Sequence, residues 1–282
     1  MSRPRIGRIS YINCLPIFYA LEEGLVKIPA QMVYGHPSEL NRALTEGHIE
    51  ISAVSSFAYA EQCDKFLVLP DLSISSWGPV KSVALLSKVP LPELAGKRVS
   101  LTPYSATSVA LLSILVERFY NLQVKFFTRP PGTSPWWSDP EATLVIGDEA
   151  LLQVNRQQGL YIYDLGREWQ RFTGQHMVFA LVVVQEEFAR SSPGLLKEIW
   201  QGLMAAKEWG RQHLALLASQ ASSLTGLPLP DLIDYFHHLQ YDLTPKHLEG
   251  LHTFYQYTYQ QGLLPAPVNV KLWRAEDEKD NG

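Results

Sequence analysis

The chain has 282 residues, 46% of them hydrophobic, with a net charge of −4 and a pI near 6.1. That length fits one large core or two of ordinary domain size, and the mildly acidic balance excludes the basic face that a nucleic-acid binder needs. Two cysteines, Cys14 and Cys63, exclude a disulfide framework and a CxxC site and point to a reducing compartment.

Met1-Ser-Arg-Pro-Arg5 is basic, but Ile6-Gly-Arg-Ile-Ser10 interrupts the apolar core of a secretory leader. No segment approaches the ~20 apolar residues of a spanning helix. A cytoplasmic protein with no membrane partner is expected. Residues 5–10 predict a strand that runs through Tyr11-Ile-Asn13-Cys-Leu-Pro16 into a helix at 17–23, with Asn13 a candidate N-cap. A strand at 30–34, a helix at 38–47 with Leu40, Ala43 and Leu44 on one face, and a strand at 49–54 follow, and the last runs into Ser55-Ser56 and a helix start at Phe57. This alternation is the rhythm of a parallel sheet with crossover helices.

After a strand at 67–70 and a loop at 71–77, the stretch Gly78-Pro-Val-Lys-Ser-Val-Ala-Leu-Leu-Ser-Lys88 turns apolar, with Ser82 set just before the run. A matching run, Met177-Val-Phe-Ala-Leu-Val-Val-Val-Gln185, comes later, and the interval holds a complete small α/β unit. There the rhythm restarts with a strand at 97–102, the junction Pro103-Tyr-Ser105-Ala106-Thr107-Ser108, and a helix at 109–120. Next come a strand at 124–127, an ordered loop at 129–140 holding Trp136-Trp137, a strand at 143–146, Gly147-Asp148-Glu149, a helix at 150–157 and a strand at 160–163. Two apolar crossings make a double hinge with a cleft between lobes. Residues 1–85 and 179–282 are expected in a first, discontinuous lobe and 86–178 in a second. Helices at 193–212, 230–239 and 245–261, with a polar break at 219–223, would cover the first lobe, and residues 274–282 form a charged tail.

Ligands of open parallel sheets bind beyond the carboxyl ends of the strands, where helix N-termini offer backbone N–H groups and partial positive charge. Four such junctions carry small polar residues: Asn13; Ser55 and Ser56; Ser105, Thr107 and Ser108; and Gly147 with Asp148. Each alone also reads as an ordinary cap. Together, two to a lobe, they suit an anionic small molecule held without a lysine or arginine cluster. Ser82 either bonds a neighbouring carbonyl or serves this site, and Glu149 reads as a first-turn charge. The eight histidines show no metal-ligand spacing, with His176 open because of its place at the second crossing. There is no phosphate loop, dinucleotide fingerprint or zinc signature, so no cofactor is expected.

Tyr11-Ile-Asn13-Cys-Leu-Pro16, Asp71-Leu-Ser-Ile-Ser75 with Gly78-Pro-Val-Lys-Ser82, Thr102-Pro-Tyr-Ser105-Ala-Thr107-Ser108, Ile146-Gly-Asp148-Glu149-Ala150, and Asp164-Leu-Gly166 with Trp169 resemble, in order, motifs of the chorismate dehydratases of the futalosine route to menaquinone. The resemblance covers residues 5 to 185; the helical C-terminal third is similar in pattern only. It implies an α/β, two-lobed periplasmic-binding-protein-like fold of the second type with a two-strand hinge. It also implies a carbon–oxygen hydro-lyase that converts chorismate to 3-[(1-carboxyvinyl)oxy]benzoate. Asn13 and Ser82 match the residues taken as important for turnover, while Tyr11, Ser55, Ser56, Ser105, Ala106, Thr107, Ser108, Gly147 and Asp148 are expected to bind substrate. Gln175-His176 departs from the apolar pair expected at the pocket floor. The alternatives are a cytoplasmic carboxylate-binding protein without turnover and an enzyme of the same route acting on a later, larger intermediate.

Overall fold

Two mixed sheets divide the chain, which the computed structural model describes over residues 3–156 and 159–274. The first part alternates β1 (Arg5–Ile9), α1 (Leu15–Glu22), β2 (Gln31–Gly35), α2 (Pro37–Thr45), β3 (Ile51–Ser55), α3 (Ser56–Ala60) and the long β4 (Phe66–Ser76). The chain then crosses to β5 (Val83–Ser87), β6 (Arg98–Leu101), α4 (Ala106–Ser113), β7 (Lys125–Thr128), β8 (Ala142–Ile146), α5 (Gly147–Arg156), β9 (Tyr161–Asp164) and α6 (Leu165–Thr173). It returns as β10 (Met177–Gln185), followed by α7 (Glu186–Ser191), α8 (Pro193–Gln212), α9 (Leu214–Thr225), α10 (Leu229–His238), β11 (Leu239–Gln240) and α11 (Pro245–Gln260). The sheets run β11-β4-β10-β3-β1-β2 and β7-β6-β8-β5-β9.

The expected parallel pairing holds for β2-β1-β3 and β7-β6-β8, whereas β10 and β5 run antiparallel to their neighbours. Connectivity dictates this. Strands followed by crossover helices end at the cleft, so a strand that enters a lobe from the cleft must run the other way. Strand β5 therefore belongs wholly to the second sheet and β10 wholly to the first. Ser76 at the end of β4 pairs with Met177 at the start of β10, so both crossings leave from one rung.

β5 and β10 are almost entirely buried, which explains their continuous apolar sequence; each buried valine or leucine contributes about 1.5–3 kcal/mol. Helix α6 lies at the crossing, where Trp169 is fully buried against Phe254 and Tyr257 of α11 and donates from Nε1 to the His176 carbonyl at 3.0 Å.

Several expectations are corrected. The loop at 71–77 is strand: β4 bulges near Pro70 and Asp71 and resumes. The carbonyls freed by the bulge accept from α8, that of Pro70 from Trp200 Nε1 at 3.0 Å and that of Asp71 from Lys207 Nζ at 2.7 Å. The polar break at 219–223 lies inside α9, because Ser223 and Thr225 donate back to the carbonyls of Ser219 and Ala221; the break between α8 and α9 falls at His213. The single helix at 109–120 is α4 continued by a wider π turn over Ile114–Phe119. The expected helix end at Gln157 and the tail beyond Arg274 lie outside the described residues.

Candidate active site

A cavity of about 80 Å³ lies in the cleft between the sheets. Its polar lining is Tyr11, Asn13, Ser55, Ser82, Tyr104, Ser105 and Ser108, with Gly147 beside them. Of the ten predicted site residues besides Ser82, six, namely Tyr11, Asn13, Ser55, Ser105, Ser108 and Gly147, thus converge with it on one space. Its walls are apolar, among them Ile9, Ala53, Ile74, Val83, Ile146 and Phe179.

Ser82 reaches this cavity through a strained turn. Its N–H donates to the Val80 carbonyl at 2.7 Å, two residues back, and Lys81 between them has φ 61°. Such a γ-type turn costs about 1–3 kcal/mol and persists only where surroundings hold it. The Asp164 carboxylate supplies that hold, accepting from the N–H groups of Val80 at 3.1 Å, Lys81 at 2.6 Å and Arg167 at 2.9 Å. Lys81 also pairs with Asp234 of α10. Gly166 permits the close approach: a Cβ there would stand 2.5 Å from the Gly78 carbonyl. The Ser82 hydroxyl has only the Val80 carbonyl, at 3.4 Å, as a backbone acceptor, and the Ser82 carbonyl accepts from Gly147 N–H at 2.7 Å.

Asn13 is not an N-cap. It sits in a 3₁₀ turn, Ile12–Cys14, and Cys14 occupies the cap position of α1. The Cys14 thiol donates to Asn13 Oδ1 at 3.4 Å, and burial raises the thiol to about 12, so it stays a donor. With Oδ1 so engaged, the Asn13 amide N–H₂ is the group left for the cavity.

Asp148 and Thr107 join the lobes rather than line the cavity, Ser56 and Ala106 do neither, and several lining residues also serve as caps. Asp148 Oδ1 accepts from Ile12 N–H at 3.3 Å, so it caps the turn that carries Asn13, and burial raises its carboxyl above the usual range against the lowering effect of that bond. The Thr107 hydroxyl accepts from Phe57 N–H at 2.8 Å, closing the start of α3 from the opposite lobe. Ser55 accepts from Ala58 N–H at 3.3 Å, Ser56 donates to the Val178 carbonyl at 2.6 Å, and Ala106 is exposed on the first turn of α4. The α3 N-terminus is thus already capped. Ser105 caps α4, accepting from Ser108 N–H at 3.2 Å. Gly147, at φ 58°, lets the Tyr11 ring lie where a Cβ would come within 3.2 Å, and burial, then Asp148, raise the Tyr11 phenol to about 12.

Among the described residues, no Asp, Glu, Lys, Arg or His lines the cavity. It offers neutral donors in an apolar shell. Glu149 is not a bare first-turn charge; it pairs with Arg129, which is 2% exposed. His176 lies away from the cavity, between the rings of Trp77 at 4.7 Å and His247 at 4.3 Å, so the Gln175-His176 pair is no pocket floor. Trp136 and Trp137 pack against Lys88 and Phe127. Among the described residues no three His, Cys, Asp or Glu side chains gather as a metal site, and no helix is long and apolar enough to cross a membrane. Phe179 and Tyr104 went unpredicted because apolar and aromatic residues at strand ends read as core.

A sequence model of the family described as menaquinone biosynthesis matches residues 4–260. The chain belongs to this family. It is 30% identical over 265 residues to the chorismate dehydratase of Thermus thermophilus, covering 88% of this chain and 93% of the relative. The 1,4-dihydroxy-6-naphtoate synthase of the same organism is 25% identical over 215 residues, 76% of each. In fold, this family member is similar to a protein of Archaeoglobus fulgidus (TM-score 0.77, 19% identity, 92% of this chain and 98% of that one). It is also similar to the alkanesulfonate-binding protein of Xanthomonas axonopodis pv. citri bound to MOPS (TM-score 0.73, 15% identity, 96% and 98%). The architecture is therefore that of the two-lobed periplasmic binding proteins.

Proposed function

We propose that this protein is a chorismate dehydratase of menaquinone biosynthesis, a hydro-lyase that removes water from chorismate to give 3-[(1-carboxyvinyl)oxy]benzoate. The observation that carries the reading is the meeting of Asn13 and Ser82, from opposite sides of the cleft, in one cavity lined by neutral donors. The N-terminus of α4, with Ser105 and Ser108, is suited to one substrate carboxylate.

The reaction takes the C3 proton and expels the C4 hydroxyl as water, with aromatisation as the driving force. A base must accept the proton, and among the described residues no ionised side chain lines the cavity. The substrate's enolpyruvyl carboxylate fills that role, held by the Asn13 amide, while the Ser82 hydroxyl donates to the departing oxygen. Lobe closure over the α3, α4 and α5 starts excludes water and aligns these groups. The lobes so moved are, in this reading, the two sheets with their helices.

Incubation with chorismate is expected to produce the ultraviolet spectrum of an aromatic acid. Asn13→Ala and Ser82→Ala should each lower turnover about 100-fold or more, as the loss of a transition-state donor does, with chorismate affinity within about threefold. A chorismate ester at the enolpyruvyl carboxylate should bind without reacting. Binding of chorismate with no product would refute the dehydratase and leave a receptor; conversion of the ester would refute the carboxylate as base.

A further inference from the structure

Behind the strained turn lies a group that the reaction as drawn does not use. Helix α10 covers the crossing from the C-terminal third: Asp234 pairs with Lys81, the centre of the turn, and the adjacent Tyr235 is 1% exposed. The Tyr235 phenol oxygen is buried and completes no hydrogen bond of standard geometry within the described residues. Such a group is rare in a folded protein. The side-chain hydroxyl that it faces is that of Ser82.

We propose that Tyr235 is a positioning residue for Ser82, its phenol donating to the Ser82 oxygen and leaving the serine's own proton directed into the cavity. The direction of donation follows from chemistry. Burial raises the phenol far above its ordinary range, against a lowering contact with Ser82 and with Asp148 and Cys14 adding to the rise, so the group stays neutral and keeps its proton; a neutral phenol is a better donor and a poorer acceptor than an alkyl hydroxyl. A hydroxyl that accepts at oxygen keeps one proton to give. For Ser82 the competing acceptor is the Val80 carbonyl at 3.4 Å, too long to hold that proton against a ligand oxygen in the cavity. Cys14 stands in the same relation to Asn13, so both cavity donors have a buried neutral donor behind them. The geometry assigns the C-terminal helices, which the family match also covers, a share in the active site.

This inference rests on the dehydratase reading, and the test separates the two. Tyr235→Phe is expected to lower kcat about tenfold, equivalent to about 1.4 kcal/mol of transition-state stabilisation, with KM within twofold. In a Ser82→Ala background the same substitution is expected to have no further effect, because its influence passes through the serine. Unchanged kcat in Tyr235→Phe, or an equal loss in both backgrounds, overturns the inference. Ser82→Ala with full turnover instead overturns the dehydratase assignment of Ser82. Should Tyr235→Phe fail to fold, carbon-13 NMR of labelled tyrosine reads the bond directly: the Tyr235 ζ-carbon resonance is expected to shift between the native protein and Ser82→Ala, and an unmoved resonance overturns the inference whatever the substrate.

Discussion

Thr107→Val isolates the contribution of lobe closure. The Thr107 hydroxyl, 1% exposed, accepts from the Phe57 N–H at 2.8 Å across the cleft. Valine keeps the shape and removes the acceptor. While the lobes are together the Phe57 N–H is then buried without a partner, at a cost of about 1–3 kcal/mol; when they part, water satisfies it and the cost vanishes. The penalty falls on the closed state alone. It lowers the closed population relative to the open one by roughly 5- to 140-fold, since each 1.4 kcal/mol is a factor of ten. Steady-state kinetics with chorismate should show kcat/KM reduced by about tenfold or more, and small-angle scattering of the ligand-bound variant should show a larger radius of gyration. Thr107→Ser, which restores the acceptor, should recover both. Native kcat/KM together with native scattering in Thr107→Val would refute the claim that this bond latches the lobes.

Gly166→Ala places a Cβ 2.5 Å from the Gly78 carbonyl and 3.1 Å from the Val80 N–H; backbone must shift, at a cost of about 1–3 kcal/mol, and a thermal melt should show Tm lowered by about 3–10 °C, a native Tm being the contrary result. The His247 imidazole is held neutral, pushed down to about 4 by burial first and His176 second. In the fold its Nδ1 meets the Thr244 hydroxyl at 2.7 Å and its Nε2 meets Gln240 Oε1 at 3.0 Å. The unfolded chain binds the extra proton near pH 6.5, so His247 costs no stability above that pH and lowers stability progressively as pH falls from about 6.5 to 4, by about 3 kcal/mol in total and about 2 kcal/mol by pH 5. Urea unfolding at pH 7.5 and pH 5 reads this, and His247→Gln should flatten the difference; an equal pH dependence in both proteins would remove the assignment.

Much of the architecture was legible because its signals are local. The run Met177–Gln185 is a strand over its whole length, since a central strand buried on both faces leaves a continuous apolar sequence. Ser55 and Ser105 were readable as helix starts and do cap α3 and α4. What local pattern could not convey was pairing across the cleft. Thr107 and Asp148 have cap-like sequence contexts, yet their partners are Phe57 and Ile12 in the other lobe. Tyr235 looks like any aromatic on a helical face; only the crossing brings it to Ser82. Asp71 resembles a loop residue because the α8 donors that stabilise the bulge lie far along the chain.

The shared rung from which both crossings depart, Ser76 opposite Met177, sets the mechanics of the molecule. Rotation about a single fulcrum moves each point in proportion to its lever arm, so atoms near the pivot barely travel while the far rim swings widely. In the closure proposed above, Ser82, six residues from that fulcrum in sequence, would keep its aim as the mouth gapes, whereas Thr107, out on the moving body, would travel with the rim.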